Sequence, residues 1–423
     1  MSWNPVLNMF CEMKEKAISM GIDLWDYDQK KETCLDYWVR MMGDQKYIDV
    51  IENLQLLEWD RFLLVRYAEY SSVLSGSKEM TFDTFWDLYD GFYKECRSVV
   101  IDIRKDALVL TPFKKFRNLN EGDENICEKV KERIKNAKCV EVSNKLDGSM
   151  QTARFYDGEI RMACSQAVDR EASWRLADGY RMLMEQENYQ KMVRENEDKT
   201  FIFEYISKRD AHVVEYDVEG LFLIGVRDVN TGEEASYREV LEYAGQYQVL
   251  STEVYDKIFD KILEELDDKK CTEAEGFVLN IDGYKVKIKY NDYVFIHKTL
   301  GEIGSVNLII RMIAENTYET KYDDLSSKVP AAYRAEMERV AKIVYAYKNK
   351  VEKAVDEAYN QAPKSDKKEF MIWVDKNVKK DWRGFVRNKY FGKSFNVLKR
   401  SSGYLKLKDM EVEINEEFIQ SEK

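Results

Sequence analysis

Between residues 139 and 290, apolar side chains recur at every second position in one run after another. The Asp-Gly pairs Asp147-Gly148, Asp157-Gly158 and Asp282-Gly283 punctuate them. Successive side chains of a strand point to opposite faces, so this period lays one face of each run on a core. Asp-Gly is the strongest short-range hairpin signal. The runs CVEVSNKLDGSMQTARFYDGEIRMAC and GFVLNIDGYKVKIKY therefore predict hairpin-linked strands, and FIFEYI, VVEY and GLFLIGVRD predict further ones. Upstream, RFLLVRYAEYSSVL reads as strand. CRSVVIDIRKDALVLTPF reads as two strands about a turn at Arg104-Lys105-Asp106. The fold class that follows is α+β with antiparallel sheets.

The flanks have a different period. LDYWVRMM and YIDVIENLQLLEW place apolar residues three and four apart, as helices do. Residues 121–138, 170–198 and 236–269 also read mainly as helix. After residue 300 the strand signal nearly vanishes, and AAYRAEMERVAKIVYAYKNKVEKAVDEAY is helical in period. The expected organisation is a helical extension over 1–60, a catalytic domain over 61–300 and a helical C-terminal domain over 301–423, with a boundary near 298–303.

A chain of 423 residues with 44% hydrophobic residues can bury more than one core. Its net charge of -12 disfavours general adhesion to nucleic acid, so such a partner needs a local basic surface. One exists: residues 364–408 carry 14 Lys/Arg against 4 Asp/Glu, with Trp373, Trp382, Phe385, Tyr390, Phe391 and Phe395 interleaved. Basic and aromatic residues together suit phosphates and bases, while a solvated face over an aromatic core is the competing reading. Seven scattered cysteines, with no CxxC pair, fit a reducing compartment. No signal peptide and no membrane-length apolar run is read, so a soluble cytosolic protein is expected. With only His212 and His297, a histidine-rich zinc site or a Ser-His-Asp triad has little material. Enzymatic chemistry here would rest on Lys, Arg, Asp and Glu.

The chemistry centres on Lys145-Leu146-Asp147-Gly148-Ser149, a lysine at a strand end before a tight turn. Such an amine can face a phosphate, and cations or burial would lower its pKa enough to free it as a nucleophile. Alone the motif is weak, since an ordinary turn beside a surface lysine looks the same. Further on, Glu204 interrupts the apolar strand FIFEYIS, which is costly unless it is paired or bound. Glu275 precedes Gly276 at the start of another strand. Lys285, Lys287 and Lys289 fall on one face of YKVKIKY, where an anion such as a polyphosphate would relieve their repulsion. An edge strand blunted by lysines is the competing reading.

The order KLDGS, FEYIS, AEGFV, VKIK resembles the covalent nucleotidyltransferase superfamily of ATP-dependent ligases and capping enzymes. It is closest to the bacteriophage RNA ligase 1 (tRNA-repair) family, which CRSVVIDI, KKFRNLNE, GLFLIGVRDVNTGE and VKIKYNDYVFIH also resemble, over residues 62–298. The resemblance implies a ligase/capping-enzyme fold, unrelated to ATP-grasp, that joins 5′-phosphate and 3′-OH RNA ends through lysyl-AMP and RNA-adenylate intermediates. It implies that Lys145 carries AMP, that Arg97 and Lys115 hold the ATP triphosphate, and that Asn118 positions the nucleotide. Glu204 would contact the nucleoside or, with Glu275, order Mg²⁺ or Mn²⁺. Lys287 and Lys289 would grip phosphates, and Asp147 and Gly148 would shape the loop for the RNA-dependent steps. It further implies nicked tRNA as substrate, an RNA end-healing kinase/phosphatase alongside, a monomer, no membrane, and host cytoplasm if phage-encoded. Departures stand at Ser98, Arg117 and RMACSQAVDR, where Arg161 or Arg170 would have to replace the family's lysines. The competing functions are a DNA ligase or capping enzyme, which would carry a barrel of short strands after the last motif, and a non-catalytic RNA-binding protein on the same fold.

Overall fold

A computed structural model describes residues 2–68, 82–210, 212–268, 273–294, 306–322, 331–400 and 403–420. His297 and Cys271 lie outside the described residues, as does the segment 298–303. The chain divides into two compact units, Met1–Tyr293 and Val294–Lys423.

The first unit opens with helices α1 (Pro5–Ser19), α2 (Cys34–Met42) and α3 (Gln45–Ile51), then β1 (Leu54–Trp59), β2 (Phe62–Tyr67) and α4 (Phe82–Glu95). Next come β3 (Arg97–Asp102), β4 (Ala107–Leu110), β5 (Arg117–Asn118), α5 (Cys127–Asn136), β6 (Val140–Lys145), β7 (Ser149–Tyr156) and β8 (Glu159–Cys164). The rest comprises α6 (Trp174–Met184), α7 (Glu187–Glu195), β9 (Lys199–Ile206), β10 (Gly220–Asp228), α8 (Tyr237–Tyr247), β11 (Val254–Tyr255), α9 (Phe259–Glu264), β12 (Gly276–Ile281) and β13 (Tyr284–Lys289).

Three sheets result, ordered β1-β2-β3-β4, β10-β9-β7-β8 and β11-β6-β12-β13-β5. Their ladders are antiparallel except β13 with β5, which is parallel. The N-terminal helices do not stand apart. Asn4 caps α1 by accepting from Val6 N and Leu7 N, with Pro5 supplying a first turn that needs no donor. The helix then buries Val6, Phe10, Met13 and Ala17 in one core with Trp38, Leu63, Val65 and Val99. Each of the larger aliphatic and aromatic side chains so removed from water, such as Val6, Phe10 and Met13, contributes about 1.5–3 kcal/mol. A second core joins the β7–β10 sheet to α6, α7 and α8, and Phe62, Leu64, Val100, Leu110 and Ala163 form a third.

Three readings of the sequence fail locally. Residues 54–59 form β1 rather than the end of a helix; Leu54, Leu56 and Glu58 are half-buried and their neighbours exposed, and β2 supplies the ladder. Asp147-Gly148 is not a hairpin turn. Strands β6 and β7 belong to different sheets, so the turn carries the chain from one sheet to the other. Asp157-Gly158 and Asp282-Gly283 do close hairpins, with φ of 54° and 80° and of 49° and 88°. Finally, Val213-Val214-Glu215-Tyr216 is no strand, because the Val213 and Val214 amides donate to the Asp147 carboxylate at 2.9 and 3.0 Å instead of to a neighbouring strand. Residues 236–269 also contain the short β11, paired with β6.

The second unit contains α10 (Val306–Ala314), α11 (Ala331–Gln361), α12 (Lys367–Asn377), α13 (Arg383–Tyr390) and α14 (Leu407–Gln420). One small ladder pairs β14 (Lys399–Arg400) with β15 (Gly403–Tyr404). Phe370 and Tyr390 stack at 4.2 Å, and Phe385 and Phe395 at 5.6 Å. Arg387 pairs with Asp375, Lys389 with Asp356 and Lys379 with Glu413, so part of the basic surplus over 364–408 is spent on structure. Phe391 is 46% exposed, with Lys367 over its ring at 5.3 Å.

Candidate active site

Strand register brings the lysines together. β12 runs between β6 and β13, so Gly276 lies opposite both Lys145 and Lys289, Val278 opposite Ser143 and Lys287, and Asn280 opposite Glu141 and Lys285. Two lysines that are 144 positions apart thus flank one glycine. That position needs glycine: its φ is +147°, and a Cβ would lie 2.1 Å from the Ile288 carbonyl oxygen. Glu275, just before it, is buried, and its two oxygens take Lys145 Nζ at 2.6 Å and Lys289 Nζ at 2.8 Å. The carboxylate is the shared counter-ion of both amines.

The three lysines of β13 have different fates. Lys285 is buried in an ion pair with Glu234 and Lys289 is held by Glu275. Lys287 sits 4.6 Å from the Phe116 ring centre. Burial, followed by the charges of Arg97, Lys115, Lys145 and Lys289, depresses its pKa well below the usual lysine range. Arg97, at the start of β3, also lies over the Phe116 ring, 5.2 Å from its centroid, and its Nη1 is buried without a hydrogen-bond partner among the described residues. Lys115 donates to the Tyr67 hydroxyl at 3.2 Å and lies 5.1 and 5.2 Å from the Tyr67 and Trp86 ring centres.

Arg97, Lys145, Gly148, Glu204 and Lys287 line one cavity of about 250 Å³, with Phe113, Phe116, Met150, Ile224 and Val278 as its apolar walls. Glu204 faces it from the middle of β9. Burial raises its carboxyl to about 7 against the opposing pull of Lys145, and it accepts from Gly148 N at 3.0 Å. Gly148 packs so closely on β9 that a Cβ would sit 2.5 Å from the Tyr205 carbonyl oxygen.

Other expected residues stand differently. Asp147 does not line the cavity. Besides the two valine amides, it accepts from the Tyr293 hydroxyl at 2.9 Å, while its own amide donates to the Tyr216 hydroxyl at 2.7 Å. It is thus an anchor for the turn. Asn118, on β5 beside Lys287, donates from its amide nitrogen to Glu121 at 2.6 Å and keeps Oδ1 buried without a partner among the described residues. Arg161 and Arg170 line a separate cavity of about 30 Å³, away from Lys145, so neither enters this site. Among the described residues no group of three or more His, Cys, Asp or Glu is arranged to hold a metal. The sequence reading missed Asp210, Tyr216 and the use made of His212, which lie in an irregular segment with no period to betray them.

A family model described as RNA ligase matches residues 95–299. A curated protein of Thermovibrio ammonificans, named "Putative RNA ligase", is 32% identical over 141 residues, which are 33% of this chain and 35% of that protein. The chain therefore matches only about a third of that relative's length. Among solved structures, the RNA ligase of Naegleria gruberi with pyrophosphate has 19% identity and a TM-score of 0.35 over 44% of this chain and 57% of its own. A variant of it with ATP and manganese gives 19%, 0.36, 45% and 58%. Overlap that slight carries no weight for the fold. No helix among the described residues is long and apolar enough to cross a membrane. Every residue of the cavity lies within 95–299, so the site belongs to the part of the chain that matches the RNA ligase family.

Proposed function

We propose that this chain is an ATP-dependent RNA ligase, with Lys145 as the nucleophile and nicked tRNA as the substrate. The observation that carries the reading is a charge imbalance in the cavity: Arg97, Lys145 and Lys287 face it against the single carboxyl of Glu204, with one guanidinium nitrogen unsatisfied among the described residues and one amine driven toward neutrality by burial and by its cationic neighbours. A half-buried group of cations short of anions calls for a polyphosphate.

In the first step the Lys145 amine attacks the α-phosphorus of ATP. The N–P bond forms, the P–O bond to pyrophosphate breaks, and Glu275, 2.6 Å away, is placed to hold the amine's proton. Arg97, Lys287 and Lys289 meet the phosphate charge, and the apolar walls receive the base. An oxygen of the RNA 5′-phosphate then displaces the lysine and takes AMP, and the 3′-OH of the other end expels AMP to close the phosphodiester. Most of the rate would come from positioning and electrostatic stabilisation. Two carboxylates flanking the nucleophile, Glu204 and Glu275, fit a hard divalent cation whose other ligands are phosphate and water oxygens. Bound there, Mg²⁺ or Mn²⁺ would neutralise phosphate oxygens. The exposed lysines of 364–408 with Phe391 are the proposed tRNA face, and an end-healing kinase/phosphatase would prepare the ends.

The test is to offer ATP and Mg²⁺ with 5′-phosphorylated RNA, with the same strand as DNA, and with tRNA broken in its anticodon loop. Sealing of RNA but not DNA, best for tRNA, is expected. Sealing of DNA alone would move the chain to another branch of the superfamily, and no sealing of RNA pre-adenylated at its 5′ end would contradict ligation altogether.

A further inference from the structure

His212 takes no part in the steps above, yet it lies against the turn that carries the nucleophile. Its Nδ1 is 3.5 Å from Asp147 Oδ1 and its Nε2 is 3.2 Å from Asp210 Oδ2. Asp147 is two residues after Lys145. Asp210 accepts from the Ser149 hydroxyl at 2.7 Å and pairs with Arg175 at 2.7 Å. The imidazole thus spans the turn, linked to one flank through Asp147 and to the other through Asp210 and Ser149. We propose that His212, held between the Asp147 and Asp210 carboxylates, is a positioning residue that fixes the turn presenting Lys145. The inference rests on the reading of Lys145 as nucleophile.

The chemistry of the three groups supports a charged bridge. The Asp147 and Asp210 side chains are only 8% and 2% exposed. A doubly protonated ring donates one N–H to each carboxylate, whereas a neutral ring donates to one and turns a lone pair on the other. Burial alone would favour the neutral ring, but the hydrogen bonds and charges of the two carboxylates outweigh it and raise the imidazole to about 10. In turn Asp147 is held below the usual carboxylate range and Asp210 near 2. The other groups that bear on the bridge are Arg175 behind Asp210, the Tyr216 and Tyr293 hydroxyls on Asp147, and the Glu204 carboxylate on β9. Without the cation, two buried carboxylates lose their common partner, and the link between the two flanks of the turn is gone. A misplacement of about 1 Å at a reacting atom lowers the rate about a hundredfold without touching groups that bind substrate.

Two measurements on the full chain test this. Because the sequence holds only two histidines, ¹⁵N-histidine labelling gives two imidazole spin systems, and His212→Gln assigns them. The expected His212 ring is doubly protonated at pH 8, and a ring titrating near 6.5 overturns the bridge. The second measurement is single-turnover lysine adenylylation with α-labelled ATP. His212→Gln should slow it about tenfold or more at saturating ATP while ATP affinity stays within about twofold. Equal rates, or a loss confined to ATP affinity, overturn the positioning role. Should His212→Gln not fold, Asp210→Asn is expected to lower the ring's titration point and slow adenylylation together, and a change in neither overturns the inference. A parent protein that never labels defeats the nucleophile reading itself, whereas a labelled parent matched by its variant defeats this inference alone.

Discussion

Lys285 and Lys287 are two residues apart on one strand and share a face, the first buried and the second half-buried, yet they live in opposite electrostatic surroundings. Lys285 meets Glu234 in a buried ion pair, with Arg227 paired nearby to Glu95 at 2.8 Å. Lys287 meets Arg97, Lys115, Lys145 and Lys289. A buried charge that is matched belongs to the fold, because removing one partner strands the other. A half-buried charge surrounded by its own sign belongs to a ligand, because the fold alone gives no reason to keep it there. One strand therefore carries a structural lysine and a functional one side by side.

Substitutions should separate the two. Lys287→Met should lower the rate of lysine adenylylation by about 10²–10³, in the range of losing one transition-state donor, while thermal stability stays level or rises. A drop in stability with chemistry intact would reverse the assignment. Lys285→Met should cost about 3–5 kcal/mol of stability by leaving Glu234 buried and unpaired, with adenylylation within about threefold in the folded fraction. Adding Glu234→Leu should recover much of that loss, and urea denaturation of the single and double variants measures it. A smaller effect concerns protons. Since Lys287 is depressed by burial and neighbouring cations, an arriving polyphosphate restores its charge, and pyrophosphate binding should take up part of a proton. Calorimetry in two buffers of different ionisation enthalpy reads it; proton release would contradict the assignment.

The smallest expected effect is the pH dependence of stability. The raised value of His212 gives stability that is full below 6.5 and lost as pH rises through about 10. The lowered value of Asp210 gives stability present above 3.8 and lost as pH falls through about 2. The urea midpoints of parent and His212→Gln should differ most between these limits, near pH 4 to 6.5, and converge by pH 10. A gap that widens with pH would contradict the bridge.

The face shared by Lys285, Lys287 and Lys289 is legible in the sequence, because strand period needs no partner to be read. What each lysine meets is not. Glu234 sits in the segment after β10, bridged to Arg227 and 51 residues upstream of Lys285, and the shared role of Glu275 depends on the register of β6, β12 and β13. Asp147-Gly148 misleads for a related reason. The pair promises a hairpin, but the glycine is there for close approach to β9, a tertiary fact. Short apolar runs such as Leu54–Trp59 satisfy helix and strand periods at once, and only pairing with β2 decides.

The central claim is that the cation-rich cavity serves a covalent transfer to Lys145. It is tested most directly by incubating the protein with ATP and Mg²⁺, quenching in denaturant and mapping the adduct by peptide mass spectrometry beside Lys145→Ala. One adenylyl group on the peptide containing Lys145, released by pyrophosphate and missing from the variant, is the predicted result. A folded parent that binds ATP and carries no adduct, or carries it on another lysine, would contradict the account.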